Sequence, residues 1–131
     1  MIQLQIHTSG RQSFEDITQQ VQRVVAESQV QDGLCYLFCP HTTAGLVLNE
    51  NWDPAVRHDI GLVLDQLVPE RRDFQHQEGN SPAHVKALLA SASQTLFVTG
   101  RQLVLGSWQG IYLAEFDGPR TRKVLVKVVA G

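Results

Sequence analysis

The chain has 131 residues, 43% of them hydrophobic and 18% charged, with a formal net charge of −2. That length suits one compact domain, residues 1–131, with a core that needs no metal or disulfide staple. The slight acidity argues against a general nucleic-acid binder, and no apolar run nears the roughly 20 residues that span a bilayer.

Ile2, Leu4 and Ile6 alternate with Gln3, Gln5 and His7, which predicts an opening strand with one wet face. The start lacks a basic segment followed by an apolar block, so no secretory signal is expected and the reading is cytoplasmic. Ile17, Val21, Val24, Val25 and Ser28 recur at helical spacing behind Asp16, and Asp32-Gly33 is expected to break that helix. A strand over 34–39 follows. It holds the only cysteines, Cys35 and Cys39, which strand geometry separates by about 13 Å, too far for a disulfide, so both are expected as buried thiols.

After Pro40 the chain reads HTTAGLVLNENWDPAVRHD from His41 to Asp59, a strand over 44–51 running into a helix. Asn49, Asn51 and Asp53 follow at a spacing of two, which in an extended chain aims all three to one side as a polar wall. Asp53-Pro54 is a helix cap followed by proline at the first helical position. Val56, Ile60, Val63, Leu64 and Leu67 then form an apolar stripe ended by Pro69. Residues 70–80 are a polar loop. Ser81-Pro82 repeats the helix start, with Val85, Leu88, Leu89 and Ala92 as a second stripe.

Extended segments are expected at 94–99, at 102–105, at 109–116 after a Gly106-Ser107 turn, and at 122–129, where Val124, Val126 and Val128 alternate with Lys123 and Lys127. Strands come in pairs and a final run rather than one per helix. The fold class is therefore α+β in layers, not a doubly wound parallel sheet.

Three of the five histidines are placed for chemistry. His7 lies on the wet face of its strand, and His58 sits away from the stripe of its helix, so both are expected in solvent. His84 occupies the first turn of its helix on the flank of the stripe, where the positive end of the helix dipole favours a neutral ring. His76 lies on the preceding loop, and His41 ends a strand, followed by the hydroxyls of Thr42 and Thr43. Convergence of His41, His76 and His84 on one ion would leave an open position of the kind catalytic zinc sites keep, but the spacing is no recognised zinc pattern, and on spacing alone three unrelated surface histidines are the simpler reading. Glu115 shares a face with Gln109, Ile111 and Leu113. It reads either as a general base or orienter of a histidine, or as a salt-bridge partner of Arg120 or Arg122. Gly79-Asn80-Ser81-Pro82 and Gly106-Ser107-Trp108-Gln109-Gly110 are turns that expose backbone N–H groups, the first at a helix N-terminus.

His41-Thr42-Thr43-Ala44-Gly45, Asn49 to Pro54 and Arg57-His58-Asp59 together resemble a first signature of the YjbQ-like family. His76 through Gly79-Asn80 with Ala83-His84-Val85-Lys86 resembles a second, and Gly106 to Ile111 with Glu115 to Arg120 a third, with Ser107 where threonine is usual. The resemblance covers nearly the whole chain. It implies a β-sandwich of about seven strands in two sheets with helices packed outside, a homotrimer, and secondary thiamine-phosphate synthase activity, an alkyl-group transfer.

It further implies that His41, His76 and His84 share a pocket around a divalent metal, zinc or magnesium, with no organic cofactor. Under that reading His41, His84, Glu115 and Asp53 are catalytic. A phosphorylated small-molecule substrate is held by Thr42, Thr43, Asn49, Asn51, Asn80, Trp108, Gln109 and Arg120, with no nucleic acid or membrane as partner. A metal-assisted hydrolase and a non-catalytic metal or small-molecule binding module are the rival readings of the same residues.

Overall fold

The computed structural model describes residues 1–131. In chain order the elements are β1 (Ile2–His7), β2 (Ser13–Asp16), α1 (Thr18–Ser28), β3 (Asp32–Phe38), β4 (Ala44–Glu50), α2 (Pro54–Leu67), α3 (Ser81–Ala90), β5 (Ser93–Thr99), β6 (Gln102–Leu103), β7 (Gln109–Glu115) and β8 (Thr121–Ala130). Eight strands form two antiparallel sheets, a five-stranded one ordered β1-β8-β3-β5-β6 and a three-stranded one ordered β2-β7-β4. This is the α+β sandwich expected, with one strand more than the seven implied. No helix is long and apolar enough to cross a membrane.

The main core lies between the sheets. Cys35 and Leu37 of β3, Leu46 of β4, Ile111 and Leu113 of β7, and Val124 and Val126 of β8 meet there, joined by Val21 and Val25 of α1. Cys35 and Cys39 are buried and unpaired, as expected. A smaller cluster of Ala83, Ala114 and Phe116 covers the other face of the three-stranded sheet beneath α3. With both its faces covered, β7 is buried from Gly110 to Glu115 without alternation, the pattern of a strand between two layers.

Three local expectations give way to the structure. The short strand β2 went unpredicted: only Phe14 among its four residues is apolar, and pairing with β7 holds it in place, Phe14 opposite Ala114. Helix α1 ends not at Asp32-Gly33, which begin β3, but at Gln29, whose left-handed φ of 62° stops it.

The third difference concerns the helical stripes. In α3 the buried residues are Ala83 and Lys86, while Leu88 and Leu89 are 82% and 60% exposed. The cause is close approach to β4: a Cβ built on Gly45 would lie 2.8 Å from the Ala90 methyl carbon and 2.7 Å from the Ser91 carbonyl oxygen. Only a face of small residues fits that gap, so the leucines turn outward. Lys86 is buried because its ammonium donates to Asp65 Oδ1 of α2 at 2.6 Å and to Gln12 Oε1 at 2.7 Å. In α2 only Gly61 is fully buried, and Val63 and Leu67 of the expected stripe are more than half exposed.

Candidate functional site

The site-bearing residues are held by one end of the three-stranded sheet, where β4 begins and β7 ends. Glu115, the last residue of β7, has no exposed surface, and Arg122 of β8 reaches it with Nε at 2.8 Å and Nη2 at 2.5 Å. The Thr8 hydroxyl donates to Glu115 Oε1 at 2.8 Å, and the amides of Phe116 and Asp117 donate to Oε2 at 3.1 Å. Burial alone pushes the Glu115 carboxyl up, but the Arg122 guanidinium and these donors outweigh it and hold it below the usual carboxylate range. Arg122 also donates to the Thr43 hydroxyl at 2.7 Å. Of the two readings of Glu115, the structure takes the ion pair, and the partner is Arg122.

Above this pair opens a polar cleft of about 330 Å³ with no hydrophobic side chain in its lining. His41, Thr42 and Thr43 enter it from the start of β4, His76 and Glu78 from the loop, Asn80 and His84 from the start of α3, and Asp117 and Arg120 from the turn after β7. The His76 and His84 rings meet edge to face with centroids 5.2 Å apart. His41 Nε2 accepts the backbone N–H of Lys123 at 2.9 Å. The neutral ring therefore carries its proton on Nδ1 and is a donor there. Burial, then the Arg122 charge, pushes the His41 pKa down, against a smaller opposing effect of Glu115.

Asp117 is pushed up by burial, yet held below its ordinary value by Asn80 Nδ2 at 2.8 Å and Arg120 Nη2 at 2.9 Å. Asn80 Oδ1 is left buried with no hydrogen-bond partner. Such an acceptor costs about 1–3 kcal/mol unless something donates to it.

The lowered His41 pKa gives a stability signature. A folded-state pKa below the unfolded one means the unfolded chain binds more protons, so His41's contribution is full above about pH 6.5 and is lost as pH falls through the folded value. Urea unfolding at pH 7.5, 6.5 and 5.5 should show declining stability in the wild type and a flatter decline in His41→Gln. Equal slopes in the two proteins would exclude His41 as the source.

The remaining expected site residues stand at the far end of β4. Asn49 Oδ1 accepts the Glu50 backbone N–H at 2.7 Å, the Asn51 backbone N–H donates to the Trp108 carbonyl at 2.9 Å, and Gln109 Oε1 accepts the Gly106 backbone N–H at 2.8 Å. Asp53 caps α2, accepting the Ala55 amide at 2.9 Å. A seven-residue strand at about 3.3 Å per residue puts some 20 Å between this group and His41, so the polar wall does not face the histidines within one chain. His7 and His58 are exposed, as expected.

Arg122, Asp117, Glu78 and Thr8 belong to the site or its floor and were not picked out as site residues. A signal existed for Arg122: it shares the inward phase of Val124, Val126 and Val128, and an arginine on that face requires a buried partner. Nothing in the sequence marks the Lys123 amide as the group that sets the His41 tautomer.

The shared metal centre is not supported. His41, His76 and His84 all line the cleft, but no group of three or more His, Cys, Asp or Glu side chains is placed to hold one ion. The His41 lone pair is already taken by Lys123. The residues do not fit zinc or magnesium in this arrangement.

The chain matches the UPF0047 protein YjbQ-like family over residues 2–131. It is 46% identical to a UPF0047 protein of Methanocaldococcus jannaschii, over 98% of this chain and 94% of that protein. Identity to the UPF0047 protein YugU of Bacillus subtilis is 43%, covering 96% of each. The crystal structure of an uncharacterized conserved protein of the same family from Clostridium acetobutylicum superimposes with a TM-score of 0.96 at 50% identity, over 98% of this chain and 100% of that one. These relatives bear family names and no thiamine-phosphate synthase name. The expected synthase, or any transferase working through a His-rich metal pocket, is thus overturned, and the metal-assisted hydrolase and metal-binding module fall with the metal site. Sequence and fold together place the chain in the YjbQ-like UPF0047 family.

Proposed function

We propose that the polar cleft receives a phosphorylated small molecule that also carries a hydroxyl or amino group. The observation that carries this reading is the buried, unpartnered Asn80 Oδ1, an acceptor that a ligand donor would satisfy. The phosphoryl oxygens suit the donors nearby: the His41 Nδ1–H, the Thr42 hydroxyl and the His84 ring. Arg120 and Arg122 are already paired with Asp117 and Glu115, so recognition rests on directed hydrogen bonds more than on net charge.

Calorimetric titration with glycerol phosphate and methyl phosphate tests this. Glycerol phosphate should bind more tightly, His84→Ala should weaken both by about 10-fold or more, and Asn80→Ala should remove the preference. Absence of binding by the wild type to either compound at 10 mM, on the order of the weakest useful affinity, would sink the reading.

The homotrimer is likewise a proposal. Its support is the quantity of uncovered apolar surface: Leu62, Leu67, Leu88, Leu89 and Phe97 are each more than half exposed, more than scattered single residues explain. Light scattering coupled to size exclusion should give three times 14.6 kDa.

A further inference from the structure

Between the three-stranded sheet and helices α2 and α3 lies a cavity of about 170 Å³ that shares no lining residue with the polar cleft. Phe14 of β2, Val47 of β4, Tyr112 of β7 and Phe116 just beyond it supply the sheet side, and Ile60 and Leu64 of α2 the helix side. The cavity has the same origin as the outward leucines of α3. Gly45 admits that helix closely at Ala90, and Val47 and Asn49 follow on the same face of β4, where α2 passes over without closing the gap. Ile60 and Leu64, the inward part of the α2 stripe, therefore stay only half-buried.

Eight of the eleven lining residues are hydrophobic; the others are Asn49, Arg57 and Lys86, and no carboxylate is among them. Arg57 is half-buried, with its guanidinium carbon 5.4 Å from the centre of the Tyr112 ring. It has no carboxylate within ion-pair distance. The arginine side chains that donate hydrogen bonds are those of Arg71, Arg101, Arg120 and Arg122, not Arg57. Asp16 and Glu50 act on the Tyr112 hydroxyl, but neither lines the cavity or pairs with Arg57. Lys86 is balanced by Asp65, yet its ammonium has one more N–H than Asp65 and Gln12 occupy. Asn49 Oδ1 is taken by the Glu50 backbone N–H, which leaves its amide nitrogen as a donor. The wall is thus carbon, and the polar groups still free on Asn49, Arg57 and Lys86 are donors.

We infer that this cavity binds a small monocarboxylate with a single apolar ring, the carboxylate on Arg57 and the ring between α2 and the sheet. Size limits the body: an apolar cavity of about 150 Å³ accepts one benzene ring. Arg57 also lines the open surface beside His58 and Asp65, which places it at the mouth, where a carboxylate can meet it. A planar guanidinium matches a carboxylate with two parallel hydrogen bonds. A neutral ring would leave that guanidinium without a partner. A phosphate dianion would carry a second charge into a carbon-lined space that offers it no second free cation. The site is separate from the polar cleft and does not depend on what the cleft takes.

Benzoate is the probe and benzamide its neutral counterpart, each titrated calorimetrically into the full chain. Benzoate should bind with a Kd below about 1 mM, and benzamide about 10-fold more weakly. Binding should shift the ring-proton NMR signals of Phe14 and Tyr112, which line the cavity. Arg57→Gln should remove the preference for benzoate, and Ile60→Phe, which fills the cavity with protein, should abolish binding while leaving circular dichroism unchanged. His84→Ala should leave benzoate affinity as it is. Absence of benzoate binding at about 10 mM, equal affinity for benzamide, or full binding by Ile60→Phe would each overturn the inference. So would loss of benzoate binding on His84→Ala, which would put the acid in the polar cleft. Benzoate and the phosphate esters are scored in separate titrations against different variants, so either reading can fail while the other stands.

Discussion

Glu115→Ala is expected to cost about 3–5 kcal/mol of stability, a fall in melting temperature of about 10–20 °C at fixed protein concentration. Glu115 is wholly buried and accepts hydrogen bonds from Thr8, from two nitrogens of Arg122 and from the amides of Phe116 and Asp117. Truncation leaves the Arg122 guanidinium, itself 5% exposed, as an uncompensated charge under the cleft. It also orphans two amides. Exposed pairs elsewhere, such as Arg71 with Asp73, have no comparable consequence because water replaces the partner.

Two companions separate charge from shape. Glu115→Gln keeps the outline and one acceptor but removes the charge, and should fall between the wild type and alanine. Glu115→Leu with Arg122→Met removes both charges and should recover part of the loss, since a vacated buried pair tolerates apolar replacement better than a broken one. The Glu115 carboxyl is held below its ordinary value, so its contribution is full above about pH 4.5 and disappears as pH falls through the lower folded value. Acid unfolding of Glu115→Gln should therefore start from lower stability and fall less steeply. A Glu115→Ala variant within about 1 kcal/mol of wild type, the range of a surface change, would refute this account of the floor.

The pattern of success in reading the chain follows from what each residue reports. Val21, Val24 and Val25 announce α1 because their spacing and their burial agree. Val124 and Val126 announce β8 for the same reason at period two. In α3 hydrophobicity and burial part company: Leu88 and Leu89 are the more apolar, but Ala87 and Ala90 are the residues small enough for the approach to Gly45. A sequence shows which residues dislike water; it does not show how much room a neighbouring strand leaves.

The candidate site divides along the same line. His41, His76 and His84 were expected together and do line one cleft. Asn49, Asn51 and Asp53 were read as part of the same wall because they are close in sequence and in phase. That reasoning holds only while the chain stays extended, and β4 ends at Glu50, after which the chain turns to let Asp53 cap α2. Contiguity concealed the length of the strand between the two groups.

Gly45→Val should remove about 2–3 kcal/mol, at the upper end for overpacking, and disturb the cleft at the same time. Gly45 is buried on β4 opposite Ala114, and its missing side chain is what lets α3 lie against the sheet. A Cβ there meets the Ser91 carbonyl oxygen at 2.7 Å and the Ala90 methyl at 2.8 Å. Neither is the far end of a flexible side chain, so relief requires α3 to lift at its C-terminal end. The lift strains the Leu46 amide bond to the Ser91 carbonyl, now 2.9 Å. The same helix carries Asn80 and His84 at its other end, so a tilt moves the groups proposed to meet the ligand. Phosphate-ester affinity should fall although no cleft residue has changed, and the His84 ring proton signal should shift in the NMR spectrum. Adding Ala90→Gly removes one of the two collisions and should restore part of both stability and affinity, because the two losses share one cause. Loss of stability with an unmoved His84 signal and wild-type affinity would show instead that α3 yields locally around Ala90, and that the close approach to β4 does not position the site.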